Sequence, residues 1–214
     1  MLKSVIFDFD GVVIDTEIIY LESVKEYLST LGIQTTIQDI QYIVGMKMDA
    51  ITKDLKKQFN LINYSLDELI LGQRKVFNQK MESNEITLMT GLINFLNELR
   101  SRNIKCILAS SSSRIYLCQL LSRFKIDEYF DRIISGEEVK KSKPNPDIFL
   151  KAIEESGIEK KDTIIIEDSV NGIRAGIRAG ITVFGFKGSL LWQNTSEANF
   201  EVSNFRELSE ILFE

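Results

Sequence analysis

The chain has 214 residues, with 26 Lys+Arg, 31 Asp+Glu and no histidine, so at roughly 150 residues per domain it holds one domain with an insertion or two small ones. A hydrophobic share of 44% and a charged share of 27% are those of a soluble globular protein, and a net charge of -5 argues against a nucleic-acid or anionic-membrane surface, which would have to be basic. Without histidine there is no Ser-His-Asp or Cys-His nucleophile system, no His-ligated zinc and no phosphohistidine.

In chain order, Ser4 to Phe9 reads as a buried strand, with Val5, Ile6 and Phe7 in a run that Gly11 ends. From Thr16 the period changes: Ile18, Leu21, Val24, Leu28 and Leu31 recur at helical spacing, with Gly32 as the stop. Two further helical stretches carry Ile51, Leu55 and Phe59, then Leu66, Ile70, Phe77 and Met81, and no strand is expected between Glu17 and Met81. Beyond Gly91, helix and strand alternate. Leu92, Phe95, Leu96 and Leu99 form a helical face, Lys105 to Ala109 a strand, Ile115 to Phe124 a helix and Arg132 to Ser135 a short strand. Asn145 as N-cap and Pro146 at the first helical position start another helix. Thr163 to Ile166 is a β-branched strand, Val170 to Ala179 a helix, Thr182 to Phe184 a strand, and Phe205, Leu208 and Leu212 mark a last helix. The fold class expected is α/β: a Rossmann-like parallel sheet covered by helices on both faces, with an all-helical segment inserted after the first strand. The domains expected are 1–15 with 84–214, and 16–83.

Cys106 and Cys118 stand in apolar stretches at a spacing that suits neither a redox CxxC nor a zinc site, so both are expected to be buried thiols in a reducing compartment. No segment approaches the ~18 apolar residues of a membrane span. The apolar start meets Asp8 and Asp10 too early for a signal peptide. A cytoplasmic protein is expected.

Ligands of such a sheet sit beyond the carboxyl ends of its strands. The first end carries Asp8-Phe9-Asp10-Gly11, the second Ser110 to Ser113, the fourth Glu167-Asp168-Ser169, and Lys143-Pro144 follows the third. In an extended chain Asp8 and Asp10 share a side, where two carboxylates repel unless a cation or a proton intervenes. Taken alone, the run also fits an ordinary strand ending. Asp168 or Ser169 could simply cap the next helix. Yet two acidic pairs at neighbouring strand ends are costly without a metal, and four carboxylates offer the hard oxygens that suit Mg²⁺. Ser110 to Ser113 fits an ordinary polar loop with a helix cap, or a cradle in which hydroxyls such as Ser110 and Ser111 and the backbone N–H groups of a helix N-terminus hold phosphate. Lys140 and Lys141 read as a solvated charge run, whereas Pro144 and Pro146 stiffen the segment that aims Lys143.

Together these residues carry a resemblance. Asp8-Phe9-Asp10-Gly11-Val12, Ser110 after an apolar strand, Lys143-Pro144 with Asn145-Pro146-Asp147, and Glu167-Asp168-Ser169 with Asn171-Gly172 and Ala175-Gly176 occur in the order of the haloacid dehalogenase superfamily. The chain is most similar to the branch that contains β-phosphoglucomutase and sugar-phosphate phosphatases, and the helical segment resembles that branch's cap. The resemblance implies Asp8 as the nucleophile that forms an aspartyl-phosphate, and Asp10 as acid and then base. It implies Ser110, Ser111 and Lys143 as phosphate-binding residues, and Mg²⁺ held by Asp8, the Asp10 backbone carbonyl, Glu167 and Asp168. Asp10 favours phosphoryl transfer, because the dehalogenases lack a second aspartate there.

The resemblance places one cap hinge at Asp15-Thr16 and the other near Glu85 to Met89, and makes Gly45 to Asp49 a substrate-facing loop. Lys47, which a surface lysine explains equally well, and Tyr20 are the expected cap residues for substrate selection. Tyr20 stands where the mutase has histidine, and the mutase's arginine and lysine near Met48 and Gln73 are absent. The expected activity is therefore a Mg²⁺-dependent phosphatase for a small phosphorylated metabolite, a sugar phosphate, with no nucleic-acid or membrane partner and as a monomer. The alternatives are a β-phosphoglucomutase-type mutase and a phospho-receiver binding domain, although receivers are shorter and lack the insertion.

Overall fold

The computed structural model describes residues 1–43, 48–82, 86–189 and 193–214. The chain forms two compact units, one of Met1–Ile14 with Leu88–Glu214 and one of Asp15–Thr87.

The first unit is built on a six-stranded sheet: β1 (Ser4–Phe7), β2 (Lys105–Ser110), β3 (Arg132–Ser135), β4 (Thr163–Glu167), β5 (Thr182–Phe186) and β6 (Phe200–Val202), in the order β3-β2-β1-β4-β5-β6. Every pairing is parallel, with Phe7 opposite Leu108 on one side and Ile166 on the other. All four residues of β1 are buried, because apolar layers cover both faces. The two faces follow the strand alternation. Ile6 joins Ile107, Ile165, Phe149, Ile173 and Val183 on one side. Phe7 on the other meets Phe95 and Phe130 edge-on, at 6.1 and 5.7 Å between ring centres. The strand order runs from β1 outward through β2 to β3, then returns to the far side of β1 with β4. That reversal opens a crevice beyond the carboxyl ends of β1 and β4.

Helices α5 (Leu92–Ser101), α6 (Arg114–Phe124), α7 (Asp147–Ser156), α8 (Val170–Ala179) and α9 (Phe205–Phe213) complete this unit. The expected face of α5 is the buried one, Leu92, Phe95, Leu96 and Leu99. Four expectations need correction. β6 was not foreseen: Phe200–Val202 is a three-residue edge strand, too short to show alternation, and it forms only because β5 offers it a partner. Asn145 does not cap α7, since Pro146 occupies the cap position and the Asn145 amide donates to the Ser142 carbonyl instead. Cys106 is buried, but Cys118 is exposed, because α6 buries Leu117, Leu120 and Leu121 and turns position 118 outward. The expected strand through Phe9 ends at Phe7, where a turn takes over: the Val13 N–H donates to the Phe9 carbonyl at 2.8 Å and the Gly11 N–H to that of Ile14 at 2.7 Å.

The second unit holds α1 (Thr16–Thr30), α2 (Ile37–Ile40), α3 (Met48–Gln58) and α4 (Leu66–Glu82), with no strand among its described residues. Leu21, Val24 and Leu28 of α1 are buried as the period required, and Gly32 follows the helix at φ 80. The buried face of α4 is Leu69, Gln73, Val76 and Met81, so that of the expected Leu66, Ile70, Phe77 and Met81 stripe only Met81 lies on it. The shift admits an amide to the interior. Helix α2 escaped the sequence reading because a single turn carries no period; a Thr36–Asp39 capping box holds it. None of the helices is long and apolar enough to cross a membrane among the described residues.

Candidate active site

The crevice gathers side chains from four segments of the first unit. Strand β1 delivers Asp8, whose N–H donates to the Ile166 carbonyl at 3.0 Å, so the backbone just beyond the sheet is fixed to its neighbour. Strand β4 ends in Glu167, which is fully buried, and Asp168 follows at 4% exposure. One carboxylate oxygen from each of Asp8, Glu167 and Asp168 lies within 4.8 Å of the others. Two glycines make room for them. A side chain at Gly172 would overlap the Glu167 carboxylate, and one at Gly11, where φ is +83, would overlap that of Asp168.

Lys143 enters from the segment before α7. Its ammonium donates to Asp8 Oδ1 at 2.5 Å, Glu167 Oε1 at 2.7 Å and the Ala109 carbonyl at 3.2 Å, so all three of its protons are used. It also lies 5.0 Å from the centre of the buried Phe149 ring. Arg178 holds the segment from outside by donating to the Pro144 carbonyl at 2.8 Å. The other Glu167 oxygen, Oε2, accepts from the Ser169 N–H at 2.8 Å and its hydroxyl at 2.9 Å. Ser169 in turn is the N-cap of α8, accepting from the Gly172 N–H at 3.0 Å.

Burial pushes the Asp8 carboxyl up to about 7; Lys143 opposes the rise, while Glu167 and Asp10 add to it. Burial lowers Lys143, but the Asp8 and Glu167 charges override it and hold the ammonium above its ordinary range. Three buried carboxylates gather here, and Lys143 pairs with two of them, Asp8 and Glu167. A divalent cation fits such a group, since carboxylate oxygens are the donors that Mg²⁺ prefers. Both oxygens of Glu167 are thus engaged, by Lys143 and Ser169, and Lys143 also holds one oxygen of Asp8.

Ser110 ends β2, almost wholly buried at 1% exposure, and its Oγ accepts from the Ser112 N–H at 3.1 Å. Ser111 is exposed, and Ser113 caps α6 by accepting from the Tyr116 N–H at 3.4 Å. The Asp10 carboxylate, whose charge acts on Asp8, is not part of the Asp8–Glu167–Asp168 grouping; it accepts from the Ser112 hydroxyl at 2.9 Å and the Tyr116 hydroxyl at 3.5 Å. Sequence reasoning missed Tyr116 entirely and read Ser112 only as part of a serine run. No spacing signal links either of them to Asp10, more than one hundred positions away. In the second unit, Tyr20 is half-buried, packs edge-on against Phe77 at 5.9 Å and donates to the Met48 sulfur at 3.5 Å. Lys47, the other expected cap residue, lies outside the described residues, as do Gly45, Met46 and Glu85.

An open parallel sheet whose switch point carries an acid cluster around one buried lysine defines a Rossmann-like α/β enzyme. The chain belongs to the haloacid dehalogenase-like hydrolase family, which it matches over residues 5–186. It is 28% identical over 194 residues to the phosphorylated carbohydrates phosphatase of Thermotoga maritima, covering 88% of this chain and 87% of that protein. Among solved structures it is similar to a haloacid dehalogenase family hydrolase of Deinococcus radiodurans with bound phosphate and sodium, at a TM-score of 0.84 and 25% identity over 99% of this chain and 95% of that one. The β-phosphoglucomutase of Clostridium difficile is similar at a TM-score of 0.70 and 25% identity, over 97% of this chain and 93% of that one. The protein is a phosphoric monoester hydrolase, as the phosphatases among its relatives are.

Proposed function

We propose that the protein hydrolyses the phosphate ester of a small phosphorylated carbohydrate in the cytoplasm through an aspartyl-phosphate on Asp8. The observation that carries this reading is the Asp8 carboxylate itself, buried at the strand end with Lys143 on one oxygen and two further carboxylates beside it. Asp8 attacks phosphorus, forming a carboxylate O–P bond while the ester P–O bond breaks, and Asp10 gives its proton to the departing oxygen. Asp10 then takes a proton from water as that water attacks phosphorus, releasing inorganic phosphate and the free Asp8 carboxylate. Ser110, Ser111 and Lys143 hold the phosphoryl oxygens, and Glu167 keeps Lys143 in place. Asp8, Asp168 and the Asp10 carbonyl would hold Mg²⁺, which when bound supplies positive charge to the transferring group. The helical unit, about residues 16–83, selects the substrate through Tyr20 and Lys47.

The mutase reading has support in the likeness to the C. difficile β-phosphoglucomutase. The neutral groups of the second unit speak against it: Tyr20 carries no positive charge, and Gln73 is 2% exposed with its amide donating to Thr52 at 3.4 Å. The test is a set of phosphorylated carbohydrates with Mg²⁺, followed for free phosphate, with β-glucose 1-phosphate and a trace of glucose 1,6-bisphosphate among them. Net phosphate release is expected, and Asp8→Asn should abolish it by at least about 10³-fold while the protein stays folded. Efficient formation of glucose 6-phosphate with little free phosphate would establish the mutase. Turnover undiminished in Asp8→Asn would end the aspartyl-phosphate reading.

A further inference from the structure

We propose that Ser112 and Tyr116 are positioning residues that aim the Asp10 carboxylate at the departing oxygen. The inference rests on the reading of Asp10 as the acid. An acid acts only if its proton faces the leaving atom within hydrogen-bond reach. Asp10 lies beyond the end of β1 on a turn, half-exposed. Each of its oxygens meets a hydroxyl: Ser112 Oγ stands 2.9 Å from Oδ2 and the Tyr116 hydroxyl 3.5 Å from Oδ1.

Both hydroxyls are themselves anchored. The Tyr116 ring packs edge-on against Phe9 at 6.0 Å, and Phe9 is fully buried. Ser112 is held at both ends of its backbone, its N–H donating to Ser110 Oγ at 3.1 Å and its carbonyl accepting from Ser135 Oγ at 2.8 Å. The loop that would receive the phosphoryl oxygens thus also sets the direction of the acid, and one rigid segment registers the two against each other.

The alternative roles for these hydroxyls are a direct hold on phosphate and plain support of the fold. Leaving-group dependence separates them. Phenyl phosphate and p-nitrophenyl phosphate present the same phosphoryl group, but p-nitrophenolate departs without help from an acid, whereas phenolate needs the proton. The measurement is kcat/KM, which reports the steps up to formation of the aspartyl-phosphate, on both esters with Mg²⁺, for Ser112→Ala, Tyr116→Phe, the double variant, Ser112→Thr and Asp10→Asn. The double variant should lose about 10–100-fold on phenyl phosphate and several-fold less on p-nitrophenyl phosphate. Ser112→Thr, which keeps a hydroxyl, should recover most of the loss that Ser112→Ala causes. Equal losses on both esters, or none on either, would overturn the positioning role. If Asp10→Asn shows the selective loss and the hydroxyl variants do not, positioning fails alone. If Asp10→Asn loses equally on both esters, the acid reading fails and takes the positioning role with it.

Discussion

The sheet has a lysine–carboxylate pair at each end, and the two behave in opposite ways. Where β1 and β4 begin, Lys3 donates to Asp162 at 2.6 Å with 62% of the lysine side chain in solvent. Where they end, Lys143 donates to Asp8 at 2.5 Å with 7% of its side chain exposed. The distances barely differ. Yet the hydrogen bond from Lys3 lowers the Asp162 carboxyl, whereas Asp8 is raised to about 7 despite the ammonium beside it. The Asp162 carboxylate is itself only 8% exposed, but Lys3 keeps its ammonium in water and the N-terminal ammonium stands 3.6 Å away, so the cations' attraction decides. At the second, desolvation outweighs the attraction, and Glu167 competes for the same cation. One contact supports a surface; the other keeps a carboxylate short of neutralising charge and ready to bind more of it.

The sharpest way to break this comparison is to remove each lysine. Lys143→Met leaves buried carboxylates without their cation, and at about pH 8 without metal it should cost about 3–5 kcal/mol in chemical denaturation and abolish activity with metal. A stability near wild type would show that the acid cluster is balanced by something other than Lys143.

A middle-sized effect concerns protons. Asp8 is raised in the folded state, so between its ordinary value of 3.8 and about 7 the folded protein holds a proton that the unfolded chain has lost. This group therefore removes stability from the metal-free protein as pH rises through that window, and its contribution is flat above it. Mg²⁺ binds the ionised carboxylate, so its stabilisation should be larger at about pH 8 than at about pH 5.5. Melting curves with Mg²⁺ or EDTA at both pH values test this, and Asp8→Asn should level the difference. An equal Mg²⁺ effect at both pH values would detach the metal from Asp8.

Lys3→Met should do least. Its partner Asp162 is lowered, so the pair contributes above the ordinary carboxylate range and is lost as pH falls through the folded value. At neutral pH a pair whose cation is solvated contributes little, and the N-terminal ammonium 3.6 Å from Asp162 remains, so the melting temperature should stay within the scatter of repeated scans. A drop comparable to that of Lys143→Met would mean that exposure does not distinguish the two ends.

The site was legible in sequence wherever strand order alone assembles it. Asp8, Ser110, Glu167 and Asp168 each close an apolar, β-branched run, and parallel strands bring such ends to one edge whatever their distance along the chain. Lys143 was legible only by its stiff neighbours Pro144 and Pro146; its three acceptors come from three different strand ends. Asp10 shows the limit. Period two pairs it with Asp8, but the ladder stops at Phe7, and the hydroxyls that meet its carboxylate follow from its turn and from what packs against it. Gln73 of α4 shows the same limit in the helical unit, where an apolar stripe was expected and an amide took an interior place.

What the sequence determined by itself is therefore the periodic part: a parallel α/β unit, a helical block after its first strand, and the identity of the groups at each strand end. These follow from burial patterns and strand alternation, which act residue by residue along the chain. The tertiary structure alone decided which carboxylate shares Lys143, which hydroxyls face Asp10, and that Cys118 looks outward while Cys106 does not. Those outcomes depend on the rotation of helices about their own axes, on turns without a period, and on how few cations must serve a buried group of acids. None of these leaves a repeating mark in the order of residues.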